Sequence, residues 1–145
     1  MASLFPLGSE GPVLPRFKTL LVKGPYHASA PIHLSVSHLS EAENNSVLFI
    51  TPSRKSLKSA LISFNDNWVT KNATTGHVAS LLSRVSMFYP PSPAHLCMLL
   101  SLFQLPDASL GRANPKTIIA TIPSLLVIHE LSEYFRDDEA RGSDK

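Results

Sequence analysis

Leu20-Leu21-Val22-Lys23-Gly24-Pro25-Tyr26-His27-Ala28-Ser29-Ala30-Pro31 is the stretch on which the fold turns. Three aliphatic residues read as a short buried strand, and a glycine-led loop follows at once. A loop that binds nucleotide phosphates has the pattern GxxxxGK[ST]. Its second glycine lets backbone N–H groups approach the phosphates, its lysine contacts them, and its hydroxyl holds magnesium. On that frame Gly24 and Pro25 open the loop. Ser29 stands at the second glycine, Ala30 at the lysine and Pro31 at the Ser/Thr. The pattern predicts a nucleotide-loop architecture from which the nucleotide-contacting groups have gone.

Outward from the loop, strands and helices alternate. Phe17–Lys23 is expected as strand one, and Pro31 suits the first turn of a helix, where a missing N–H costs nothing. Ile32, Val36 and Leu39 fall on one face of that helix. Ser46–Thr51 is rich in β-formers and apolar enough for burial on both faces. Pro52-Ser53 opens a helix, Arg54–Phe64, with Leu57, Leu61 and Phe64 on one side and Arg54, Lys55 and Lys58 on the other. Asn65–Gly76 reads as a loop holding Trp68, His77–Leu82 as one or two helical turns, and Arg84–Tyr89 as a further strand before Pro90-Pro91. Ser92 and Pro93 start a helix at His95–Gln104 that is apolar nearly all round and is expected to be buried. Pro106–Pro115 reads as a loop, Lys116–Ile122 as strand or helix, and Leu125–Ile128 as a fourth strand, followed by a helical Glu130–Asp137. Strands separated by helices predict a parallel α/β sheet with helices on its faces.

Composition agrees with a folded domain. The 145 residues are 43% hydrophobic and 17% charged, with a formal net charge of +2. Residues 1–129 hold ten Lys/Arg against five Asp/Glu, while residues 130–145 hold three against six. A mildly basic body with an acidic end is compatible with nucleic acid without requiring it. The division expected is a flexible leader at 1–15, an α/β domain at 16–137 and an acidic tail at 138–145. Cys97 is the only cysteine, so a disulfide within the chain is excluded, as is a zinc site built on cysteines. Its apolar neighbours predict a buried thiol. The six histidines have no metal-ligand spacing, and the two uncharged apolar stretches, Leu96–Pro106 and Thr117–Ile128, fall far short of the roughly 20 apolar residues of a membrane span.

A second position agrees with the loop. In nucleotide hydrolases with this loop, an apolar strand ends in an aspartate that positions magnesium. Here Leu125–Ile128 ends in His129-Glu130. Neutral imidazole is a poor ligand for an ion that prefers oxygen. Glu130, one residue later, points to the other face of an extended strand.

Three blocks carry a family resemblance: Ser46–Thr51, Phe88-Tyr89-Pro90-Pro91-Ser92, and Pro123–Phe135 with its Leu131-Ser132-Glu133-Tyr134-Phe135. In that order and spacing they resemble the RecA-like subunit of the Shu complex, the partner of a SWIM-domain protein. The likeness spans about Leu20–Phe135. It implies a partial RecA-like core, incomplete at its C-terminal side, with a degenerate nucleotide site at Gly24, Pro25, Ser29, Ala30, Pro31, His129 and Glu130. It also implies a nuclear accessory protein of homologous recombination, working with a SWIM-domain protein, a RecA-type recombinase and single-stranded DNA. Better-preserved members keep Gly-Lys-Thr in the loop and Asp after the fourth strand. Their loss here implies no ATP hydrolysis and no cofactor. A weak ATP-binding protein, or a truncated α/β domain without that role, is the alternative.

Arg54, Lys55 and Lys58, with Lys71 and Arg84, are the candidate phosphate-contacting cations, and Trp68, Phe88 or Tyr89 the candidate base-stacking rings. The bland reading of the same residues is a solvated helix face and core aromatics. His27, in the loop, reads as a surface histidine.

Overall fold

A computed structural model describes residues 1–102 and 122–136. Its centre is a three-stranded parallel sheet in the order β2-β1-β3, made of β1 (Val47–Ile50), β2 (Val85–Phe88) and β3 (Leu125–Ile128). The register pairs Val47 with Val85 and Leu125, and Ile50 with Phe88 and Ile128. All four residues of β1 are buried. A central parallel strand is covered on both faces, which is why its sequence is an uninterrupted apolar run.

Alternation along β1 builds the two halves of the core. Val47 packs with Val36 and Leu39 of helix α1 (Ala30–Glu41) and Leu81 of helix α4 (Gly76–Leu82). Leu48 and Ile50 pack on the other face with Leu96 of helix α5 (Pro93–Ser101) and Tyr134 of a 3₁₀ turn, Leu131–Phe135. The described residues thus form an α/β fold with helices on both faces of a small parallel sheet.

The helix starts follow local chemistry. Helix α2 (Arg54–Phe64) opens where the Ser53 hydroxyl accepts from the Ser56 N–H, and closes at Asn65, which takes the left-handed conformation at φ 48°. The Ser92 hydroxyl accepts from the His95 N–H and Pro93 sits in the first turn of α5, as the sequence predicts. Pro31 likewise occupies the first turn of α1.

Several expectations need correction. No strand forms at Phe17–Lys23; Leu21 is 81% exposed, and Leu20 and Val22 are exposed beside it. β-Propensity describes fit to a half-buried pleated surface, and this segment has no strand partner among the described residues. Asn65–Gly76 is not a plain loop: helix α3 (Asn67–Asn72) forms because Asp66 caps it, accepting from the N–H groups of Trp68 and Val69. Helix α5 buries only Leu96 among its nine residues, and Cys97 is exposed. Glu130 takes a left-handed turn at φ 55°, so the chain after β3 winds into the 3₁₀ turn rather than an α-helix. The segment 1–15 makes an antiparallel bridge, Ser3 to Val13, and meets α1, where the Ser3 N–H donates to Ser37 Oγ. The α-amino group of Met1 pairs with Glu41. The expected Pro106–Pro115 loop, residues 116–121 and the acidic tail lie outside the described residues.

Candidate functional site

Parallel α/β sheets bind ligands beyond the carboxyl ends of their strands, where neighbouring connections diverge. In this sheet that place is the shared end of β1 and β3, marked by Thr51 and His129. The glycine-led loop reaches it. Tyr26 places its hydroxyl 2.8 Å from His129 Nε2, and Thr51 Oγ1 lies 3.1 Å from His129 Nδ1. The two positions that sequence reading singled out, the loop and the end of the fourth predicted strand, are therefore neighbours in space although 103 residues apart.

Their contact fills the place rather than opening it. A phenol donating to Nε2, with Nδ1–H donating to Thr51 Oγ1, satisfies both nitrogens of a neutral ring. The Tyr26 ring meets the imidazole edge-on at 5.8 Å between centroids, and Phe49 lies at the same distance on another side. Burial lowers the His129 pKa, partly offset by the nearby Glu130 charge, so the ring is neutral at pH 7. Burial also raises the Tyr26 pKa, with Glu130 and Glu133 adding to the effect.

This neutrality gives a pH dependence of known sign. Unfolding lets His129 take up a proton below its ordinary 6.5, so its stabilising contribution is complete above that pH and is lost as pH falls through it. Urea midpoints are expected to drop between pH 7.5 and 5.5. His38, whose pKa burial also lowers, contributes in the same window. The His129 share is what disappears in His129→Gln, whose pH profile should be flatter. Tyr26→Phe should cost about 1 kcal/mol at pH 7.5 through the lost hydrogen bond.

The amino end of α1, where a phosphate would rest, is closed as well. Anions bind helix N-termini through backbone N–H groups without an intrahelical partner. Here the Ala30 N–H donates to the His27 carbonyl, Pro31 has none, and the Ile32 and His33 N–H groups both donate to the Ser29 carbonyl. No first-turn donor of α1 is left for an anion. Gly24 holds φ at +105°, a left-handed turn that favours glycine, and Gly24 and Pro25 are exposed. Ser29, Ala30 and Pro31 are buried in the fold.

Ser29 is occupied by a contact that sequence reading missed. Its hydroxyl donates to Asp66 Oδ2 at 2.5 Å, and His33 Nε2 lies 2.7 Å from the same oxygen. Asp66 Oδ1 meanwhile accepts from the Trp68 and Val69 N–H groups. One carboxylate thereby joins α1 to α3. Although burial pushes its pKa up, the hydrogen bonds from Ser29, His33 and Val69 and the charge of His33 outweigh it and hold Asp66 at about 2. The signal was an aspartate just ahead of a short apolar run, which reads as a helix cap; its second role needs α1 in place. Ser29, His33 and Asp66 are not a hydrolase triad, because hydroxyl and imidazole both point at the carboxylate rather than at each other.

The candidate cations divide. Arg54, Lys55 and Lys58 are exposed on α2, and Lys71 is exposed on α3. Arg84 is not available: its guanidinium donates to the carbonyls of Leu39, Ala42, Glu43 and Asn45 at 2.7–3.0 Å. Trp68 packs on the core against Val36, Leu39, Val47 and Leu81 and meets the His33 ring, and Phe88 packs beside Leu48 and Ile50. Neither ring is free to stack on a base. Tyr89 is half-buried, its hydroxyl donating to Met87 Sδ at 3.5 Å. His27, at the surface as expected, stacks on Phe64.

Among the described residues no cluster of three His, Cys, Asp or Glu side chains is arranged to hold a metal, and no helix is long and apolar enough to cross a membrane. No family model, curated protein or solved structure matches this chain.

Proposed function

We propose that this chain is a non-catalytic accessory module of homologous recombination, a degenerate RecA-like domain that acts by binding. Its partners on this reading are a SWIM-domain protein, a RecA-type recombinase and single-stranded DNA, in the nucleus. The closed amino end of α1 carries the reading: Ala30 replaces the lysine, and every first-turn donor is used or missing. The Tyr26–His129 contact supports it, since the loop and strand end meet as they would around a nucleotide, but are joined by an uncharged hydrogen bond. The family resemblance supplies the partners. Arg54, Lys55 and Lys58 are the proposed contacts to DNA phosphates.

A protein that breaks no bond works by mass action. Whatever binds the assembled form of a filament better than its separate parts stabilises assembly by the difference in binding free energy.

Two measurements test this. Millimolar ATP with magnesium is expected to leave the melting temperature unchanged. A ligand at one hundred times its Kd adds about 2.7 kcal/mol, which a domain of this size registers as several degrees, so no shift would sink the alternative of a weak ATP-binding protein, and a rise of that size would overturn the reading of the loop as closed to nucleotide. Affinity purification of the tagged chain at low salt is expected to bring down a SWIM-domain protein or a recombinase. Recovery of neither would remove the recombination assignment.

A further inference from the structure

Beside the sheet end lies an open groove of about 490 Å³. Its apolar lining comes from four elements: Ile32 of α1, Leu57, Leu61 and Ile62 of α2, Val69 of α3 and Met87 of β2. Ile62 is 67% exposed and Met87 is exposed as well. Arg54 and Lys58 stand at its margin, one helical turn apart on α2.

Those cations are placed against local electrostatics. The amino end of a helix carries the positive end of its macrodipole and favours acidic side chains. α2 has no acidic residue in its first turn, which holds Arg54 and Lys55 instead, and Lys58 is spaced i+4 from Arg54. Like charges at that spacing repel by a few tenths of a kcal/mol. Among the described residues none of the three is in an ion pair. Among the described residues the only carboxylate lining the groove is Asp66, whose oxygens are engaged by Ser29, His33, Trp68 and Val69. An aliphatic floor beside a positive, unneutralised margin is complementary to one kind of ligand.

We infer that this groove docks an acidic amphipathic helix of a protein partner, its aliphatic residues on Leu61, Ile62 and Met87 and its carboxylates on Arg54 and Lys58. The volume lies in the range of roughly 300–1,000 Å³ typical of ligand sites, and an open trough suits the helix-in-groove mode with anchors at i, i+3 or i+4, and i+7. DNA phosphates, proposed above for the same cations, would compete with such a helix for Arg54 and Lys58, but the apolar lining offers a nucleic-acid strand less. Its bases gain most from flat aromatic faces, and Tyr89 is the one ring here. The inference rests on the reading of the chain as a binding module and names the chemistry of its partner.

The test is fluorescence anisotropy of the full chain with an array of acidic amphipathic peptides of about 20 residues, varied in aliphatic register. Each peptide has a counterpart with lysine in place of glutamate, and oligo(dT) is measured alongside. At least one acidic peptide should bind about tenfold tighter than its lysine counterpart. It should lose about tenfold in affinity in Ile62→Glu and, separately, in Arg54→Glu/Lys58→Glu. All these side chains are exposed, so unchanged circular dichroism and melting temperature serve as the folding control. No acidic binder in the array, or binding indifferent to both variants, would overturn the inference. So would a response to charge reversal shared by peptide and oligo(dT) with none to Ile62→Glu, which would mark a nucleic-acid face. None of these outcomes depends on nucleotide, so a melting shift with ATP and magnesium would count against the closed-loop reading alone.

Discussion

Asp66→Ala should lower the stability of the domain by at least about 3 kcal/mol. The figure combines loss of the α3 cap, about 1 kcal/mol, with the cost of leaving buried donors unpaired, about 1–3 kcal/mol for each. Two such donors are at stake: Ser29 is 1% exposed and His33 is 3% exposed, and both give their hydrogen bonds to this carboxylate. A domain of this size has about 5–15 kcal/mol in total, so the loss would populate the unfolded state measurably near physiological temperature. Urea unfolding at pH 7 is the measurement, with a lowered midpoint and an unchanged slope expected. A change under about 1 kcal/mol would mean that α1 and α3 are held together by their apolar contacts alone.

The same carboxylate sets an acid limit. Its folded pKa, about 2, lies below its ordinary 3.8, so its contribution is complete above 3.8 and is lost as pH falls toward 2. The wild type should weaken across that window and Asp66→Ala should not. His129 acts earlier, from 6.5 downward. Stability plotted against pH should therefore fall in two separate windows.

Arg84 carries the second large effect. Its guanidinium gathers the carbonyls at the carboxyl end of α1 and in the turn that follows, ahead of β1. These are backbone acceptors that the helix itself cannot satisfy. Hydrogen bonds to a charged donor are worth about 1.5–3 kcal/mol where they are shielded from water, and two of these four are partly buried. Arg84→Ala is expected to cost about 3 kcal/mol. Arg84→Lys should recover less than half of that, because a single ammonium cannot span the carbonyls that a planar fork reaches. Full recovery by lysine would show that charge near the helix end matters and the fork does not. DNA affinity, by contrast, should be unaffected by Arg84→Lys, since the guanidinium faces inward.

How much of this was legible beforehand can be argued element by element. Arg54–Phe64 was readable to the residue, because a serine cap, an apolar stripe and a polar turn agree. The strand read at Ser46–Thr51 forms at Val47–Ile50, because a continuous run of β-branched, aliphatic and aromatic residues fits a strand buried on both faces. Phe17–Lys23 has comparable propensity and forms no strand. α5 reads as buried from its apolar residues, yet its Met98 and Cys97 face outward, because composition counts apolar side chains without fixing how many neighbours meet them.

The amino-acid sequence by itself determined the α/β alternation, the caps at Ser53 and Ser92, the proline in the first turn of α1, and the absence of lysine from the loop. These are set within a few residues by dihedral preference, hydrogen-bonding reach and side-chain identity. Only the tertiary structure decided that Tyr26 meets His129, that Asp66 serves Ser29 and His33 as well as its own helix, and that Arg84 faces carbonyls rather than phosphate. Each of those contacts joins residues at least 33 positions apart. Partners that distant are chosen by which elements the sheet brings together, and no local pattern encodes that choice.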